Sequence, residues 1–97
     1  MKLTLLSSGA HPSCTVIVGE QPATAGRDPG ADVRIVDGRI SRLHCEFREV
    51  ERGKLFVRDL GSKNGTFVDG IRIDQAFLKS GQKIVIGRLE FVVRWEH

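Results

Sequence analysis

Turn-forming residues recur along this chain at intervals too short to hold helices. From Gly9 to Gly87 the gaps between glycines are mostly short, and the segments between them are rich in Val, Ile, Phe and Thr. No segment of helical length places apolar residues at i, i+3, i+4 and i+7. Many short β-type segments punctuated in this way read as an all-β sandwich or barrel. Strands are expected over residues 2–6, 15–18, 23–26, 33–35, 44–50, 54–59, 66–68, 71–73, 83–86 and 89–95.

Two hairpins stand out. Cys45 and Phe47 share one face of their strand and Glu46 and Arg48 the other, the alternation of a strand with one face buried. Glu51-Arg52-Gly53 then turns the chain into Lys54-Leu55-Phe56-Val57-Arg58. Asp69-Gly70 separates Thr66-Phe67-Val68 from Ile71-Arg72-Ile73 and suits a two-residue turn with positive φ.

With 97 residues the chain suffices for one core, so a single domain with its core over about 2–95 is expected. Charged residues are 28% and hydrophobic residues 40% of the total, which excludes a disordered composition. No apolar run approaches the roughly 20 residues of a membrane span, and residues 2–6 run straight into Ser7-Ser8-Gly9, too short for a signal-peptide core. The net charge of +3 favours an anionic partner only mildly, and the arginines are scattered among acids instead of forming the stripe of a nucleic-acid binder. Cys14 and Cys45 cannot build a disulfide framework and are expected as two buried free thiols. Nothing calls for an oxidising compartment, so a cytoplasmic location is expected, or a nuclear one in a eukaryote.

Three connections are longer and more polar: 27–32, 37–43 and 60–65. At or beside them lie Gly26-Arg27, Ser41-Arg42-Leu43-His44 and Ser62-Lys63-Asn64-Gly65-Thr66. Loops on a rigid scaffold are where binding groups are usually carried. Here they offer a guanidinium that can fork two oxygens, a hydroxyl, further cations and a side-chain amide, a set that suits a phosphate attached to a peptide.

The succession Gly26-Arg27, Ser41-x-x-His44, Asn64-Gly65 resembles the signature of the forkhead-associated (FHA) domain, a phosphothreonine-binding module. Asp59-Leu60-Gly61-Ser62-Lys63-Asn64-Gly65-Thr66-Phe67-Val68 is similar to that family's most recognisable stretch, and Leu78-Lys79-Ser80-Gly81-Gln82 with Ile84-Val85-Ile86-Gly87 to its closing strands. The resemblance covers essentially the whole chain. It implies a sandwich of two mostly antiparallel sheets with binding loops at one end, whose partner is a threonine-phosphorylated protein or peptide. It implies that Arg27, Ser41 and Arg42 hold the phosphate and that Asn64 grips the peptide main chain. Lys63 either reaches the phosphate or is simply solvated. Arg39 falls where the family often selects a side chain downstream of the phosphothreonine, which suggests a preference for an acidic residue. Gly26, His44, Gly65 and Thr66 are expected to support the loops. The module should act as a monomer, without cofactor, metal, nucleic acid or membrane.

Other chemistries fit these residues less well. Ser41 and His44 suggest a nucleophile and its base, but three residues along an extended loop do not by sequence alone place them in hydrogen-bond contact, and no orienting carboxylate or oxyanion donors can be picked out. Ser62-Lys63-Asn64-Gly65-Thr66 has its Lys before the Gly, unlike a nucleotide-binding loop. His11, Cys14, His44 and Cys45 lack paired zinc-ligand spacing. A phosphate-independent scaffold or self-association module on the same fold remains the alternative. Two positions depart from the family pattern: Asp69 stands where Asn is common, and Gln82 where Asp is common. Asp69 would lower the positive potential if its turn lay near the peptide.

Overall fold

The computed structural model describes residues 1–96. Eleven strands run in chain order as β1 (Lys2–Ser7), β2 (Cys14–Ile17), β3 (Ala23–Gly26), β4 (Val33–Arg34), β5 (Cys45–Glu49), β6 (Leu55–Asp59), β7 (Thr66–Val68), β8 (Ile71–Arg72), β9 (Gln75–Leu78), β10 (Lys83–Ile86) and β11 (Leu89–Glu96). They form a six-stranded sheet in the order β2-β1-β11-β10-β7-β8 and a five-stranded sheet in the order β4-β3-β5-β6-β9. Every pairing is antiparallel except β3 with β4. None of the helices required to cross a membrane is present among the described residues.

Period-two alternation builds the core. In β11, Leu89, Phe91 and Val93 are buried while Glu90 and Arg94 face out; in β5 and β6, Cys45, Phe47, Leu55 and Val57 are buried. Facing residues Leu3, Leu5, Ile84 and Ile86 of the larger sheet complete the contact. Phe47 and Phe91 are the largest fully buried side chains, and burial of each contributes about 1.5–3 kcal/mol.

Two differences from the sequence expectation have physical causes. β9 was not expected: only Leu78 of its four residues is buried, because it is an edge strand held to β6 alone. Only one of the two thiols is enclosed. Cys45 lies in the core, whereas Cys14, on edge strand β2, is half-buried; both are free. The Asp69-Gly70 turn has the expected positive φ at both residues, 47° and 84°. It sits at the end of the sandwich away from Gly65, since β7 runs from Thr66 to Val68 alongside antiparallel β10. There Gln82 Nε2 donates to Asp69 Oδ2 at 2.8 Å and the Lys83 amide to Asp69 Oδ1 at 3.2 Å. The two departures from the family pattern thus satisfy each other, far from the polar loops.

Candidate functional site

The three polar loops meet at one end of the sandwich, tied by backbone and side-chain hydrogen bonds. The Arg27 amide donates to the Ser41 carbonyl and the Asp28 amide to that of Arg42, both at 3.0 Å. This close approach explains Gly26: a Cβ there would lie 2.1 Å from the Arg42 carbonyl oxygen.

His44 is the buried pin between loops. Its Nδ1 accepts the Ser41 amide at 3.1 Å, so the ring proton belongs on Nε2, which donates to the Gly65 carbonyl at 2.8 Å. Both nitrogens are used, and the ring is wholly buried. The histidine therefore meets the backbone of Ser41 and makes no bond to its hydroxyl. Gly65 has φ 89°, in the region that favours glycine, and its carbonyl also accepts the Gly87 amide at 3.0 Å.

The β6–β7 loop is organised by a residue that sequence reasoning missed. Asp59 accepts the Ser62 amide at 2.9 Å, the Ser62 hydroxyl at 2.6 Å and the Thr66 hydroxyl at 2.7 Å. The Ser62 oxygen in turn accepts the Gly65 amide at 3.0 Å. Burial opposes ionisation of Asp59, but the Ser62 and Thr66 hydroxyls and the Ser62 amide outweigh it and hold the carboxyl below the usual range. An Asp followed three residues later by Ser, with Gly between, was the available signal for such a turn.

On this frame the candidate binding groups are displayed. Arg27 is exposed; its Nε donates to the Ile40 carbonyl at 3.1 Å, which orients the guanidinium and leaves both terminal nitrogens without a partner among the described residues. Ser41 Oγ accepts the Lys63 amide at 3.0 Å, so its own proton is available to a ligand. The Lys63 ammonium has no partner among the described residues. Asn64 Nδ2 donates to the Arg39 carbonyl at 2.8 Å, locking the third loop to the second and leaving the amide oxygen as a free acceptor.

Arg42 and Arg39 are engaged differently. Arg42 Nη2 reaches Asp28 Oδ1 at 2.8 Å on the surface, and this bond, with that of the Gly30 amide, holds the Asp28 carboxyl below its usual range. Arg39 clamps Asp37 through Nε at 3.0 Å and Nη2 at 2.9 Å, while its amide donates to the same carboxylate at 2.9 Å. Those bonds bring Asp37 down to about 2. The Arg39 fork is therefore already filled from within its own loop. The loops present two unpaired cations, an oriented hydroxyl and a peptide-like amide, around a rim where an anion with a main chain attached can be clasped.

Comparison with known proteins places this geometry in context. The pattern of a family described as FHA domain matches residues 23–87. The chain is 34% identical to the glycogen accumulation regulator GarA of Mycolicibacterium smegmatis over 93% of its own length and 56% of that protein's. It thus spans little more than half the length of that curated relative. Among solved structures, a domain from a study of phosphothreonine-dependent FHA domain interactions superposes with a TM-score of 0.84 at 28% identity, covering 100% of this chain and 99% of that one. The FHA domain of FhaA, solved in complex with the intracellular domain of another protein, gives 0.79 at 30% identity, covering 96% of this chain and 98% of that one.

Proposed function

From the fact that this chain belongs to the FHA domain family, we propose that it binds threonine-phosphorylated proteins or peptides in a phosphate-dependent manner and performs no turnover. The observation that carries this reading is the convergence of Arg27, Ser41 and Asn64 on one hydrogen-bonded rim, with the Arg27 terminal nitrogens unpaired and the Ser41 proton free.

In the proposed complex, Arg27 takes two phosphate oxygens, which its planar fork matches while remaining charged at any physiological pH. Ser41 donates its hydroxyl proton to a third acceptor on the same phosphate. Lys63 adds its charge, and Arg42 exchanges Asp28 for the phosphate, a small loss because an exposed ion pair contributes only about 0–1 kcal/mol. Asn64 bonds the peptide main chain beside the phosphothreonine. Gly26, His44, Gly65 and Thr66 hold the loops in register. Preference for threonine over serine comes from seating one further methyl, at about 0.8 kcal/mol per buried carbon.

Titration of a phosphothreonine peptide library, with phosphoserine and unphosphorylated controls, tests the proposal. Phosphothreonine peptides should bind, phosphoserine forms more weakly, and bare forms not detectably. Replacing Arg27 with Ala removes charge-assisted bonds of about 1.5–3 kcal/mol each, so binding should fall at least tenfold. Equal binding of the unphosphorylated controls would instead identify a phosphate-independent module.

A further inference from the structure

Beside the clasp runs an open groove of about 540 Å³ that includes Asp37, Arg39, His11, Arg88, Leu89 and Glu90 in its walls. It lies at the same end of the sandwich as the polar loops, because the β10–β11 turn that bears Arg88 is bonded to them. Gly87 donates its amide to the Gly65 carbonyl at 3.0 Å. Gly87 also adopts φ 66°, and a Cβ there would come within 2.6 Å of the Arg39 carbonyl oxygen. That same Arg39 oxygen accepts from Asn64. The backbone of Arg88 is thus held one residue from a contact shared with the proposed peptide-gripping loop.

The charges in this groove cancel, with one exception. Asp37 is neutralised by the two-pronged Arg39. The Glu90 carboxylate lies 3.7 Å from Lys83 Nζ. His11 spends Nε2 on the Glu90 carbonyl at 2.8 Å and sets its ring against Phe91 at 4.7 Å between centroids. Arg88 is exposed and has no carboxylate or carbonyl partner among the described residues.

We propose that this groove receives the peptide flanking the phosphothreonine and that Arg88, in place of the internally paired Arg39, selects a carboxylate side chain there. The inference rests on the phosphothreonine reading above. A guanidinium without an internal partner offers both prongs to an incoming Asp or Glu, whereas Arg39 must first release Asp37, which then repels the incoming acid.

The test uses the whole chain and a phosphothreonine peptide with alanine at its flanking positions, each replaced in turn by Asp. In the wild type, Asp at one flanking position should tighten binding about three- to tenfold, the range between an exposed ion pair and a well-formed charge-assisted one. Arg88→Ala should bring the ratio of Asp-peptide to all-alanine-peptide affinity to about one, whereas replacing Asp37 and Arg39 together by Ala, which leaves no unpaired carboxylate in the groove, should keep the gain. If no position rewards Asp, or if the gain survives Arg88→Ala or disappears when Asp37 and Arg39 are both replaced by Ala, the assignment of Arg88 is overturned while the phosphothreonine reading stands. If the wild type binds phosphorylated and unphosphorylated all-alanine peptides alike, both readings fall.

Discussion

Lys63 donates its backbone amide to the Ser41 hydroxyl oxygen across 22 residues of sequence and 3.0 Å of space. With one lone pair occupied from within the protein, the Ser41 proton is left for an acceptor on a ligand. Ser41→Ala should therefore weaken phosphothreonine-peptide binding about tenfold or more, the loss of one charge-assisted bond. Unfolding free energy should fall by no more than about 1.5 kcal/mol, because the freed Lys63 amide lies on the exposed side and can turn to water. Calorimetric titration and urea denaturation of the same variant separate the two effects.

Asp28→Asn should act in the opposite direction. The carboxylate of Asp28 holds Arg42 at 2.8 Å and stands beside the proposed phosphate position. Asn keeps an oxygen for the Gly30 amide, now accepted at 2.9 Å, but removes the repelling charge and frees Arg42. Affinity should rise about two- to fivefold, the scale of a surface ion pair, and a titration at constant ionic strength reads it directly.

Gly26 touches the second loop so closely that any side chain displaces it. Gly26→Ala puts a methyl 2.1 Å from the Arg42 carbonyl oxygen, forcing apart the pair of amide bonds from Arg27 and Asp28. We expect a loss of about 1–3 kcal/mol in unfolding free energy, the usual range for overpacking, together with weakened peptide binding. The unaltered far end of the sandwich should keep its amide protection in hydrogen exchange.

Asp59 links loop order to pH. Its carboxyl is held below the usual range in the folded chain, so its contribution to stability is fully present above the unfolded value, about 3.9, and is lost as pH falls through the lower folded value. Asp28 and Asp37, also lowered, act in the same sense. Asp59→Asn faces three donor groups with one acceptor, and should cost about 1–3 kcal/mol at pH 7. Its stability should then decline less steeply than the wild type below about pH 4, where the wild-type carboxylate is being protonated. Urea midpoints measured from pH 7 down to pH 2.5 distinguish the two slopes.

What could be read in the sequence was local. The alternation of Cys45 to Arg48 and the positive-φ turn at Asp69-Gly70 each depend on a few adjacent residues, and both appear as expected. β9 escaped because an edge strand with one buried side chain has no hydrophobic period to detect. The site is less legible still, for its defining contacts are long-range. His44 meets Gly65 across 21 residues and Asn64 meets Arg39 across 25, and no pattern of spacing specifies such pairs. Likewise, Arg39 and Arg88 look equivalent as residues, and only the internal clamp by Asp37 tells them apart.

Amide-resolved NMR during addition of a phosphothreonine peptide tests the central claim most directly. The account predicts that the resonances of Arg27, Asp28, Ser41, Arg42, Lys63 and Asn64 shift together, saturate with one affinity, and stay in place when the same peptide is added without its phosphate. Shifts confined to the opposite end, around Asp69, Gln82 and Trp95, or an identical response to the unphosphorylated peptide, would contradict it.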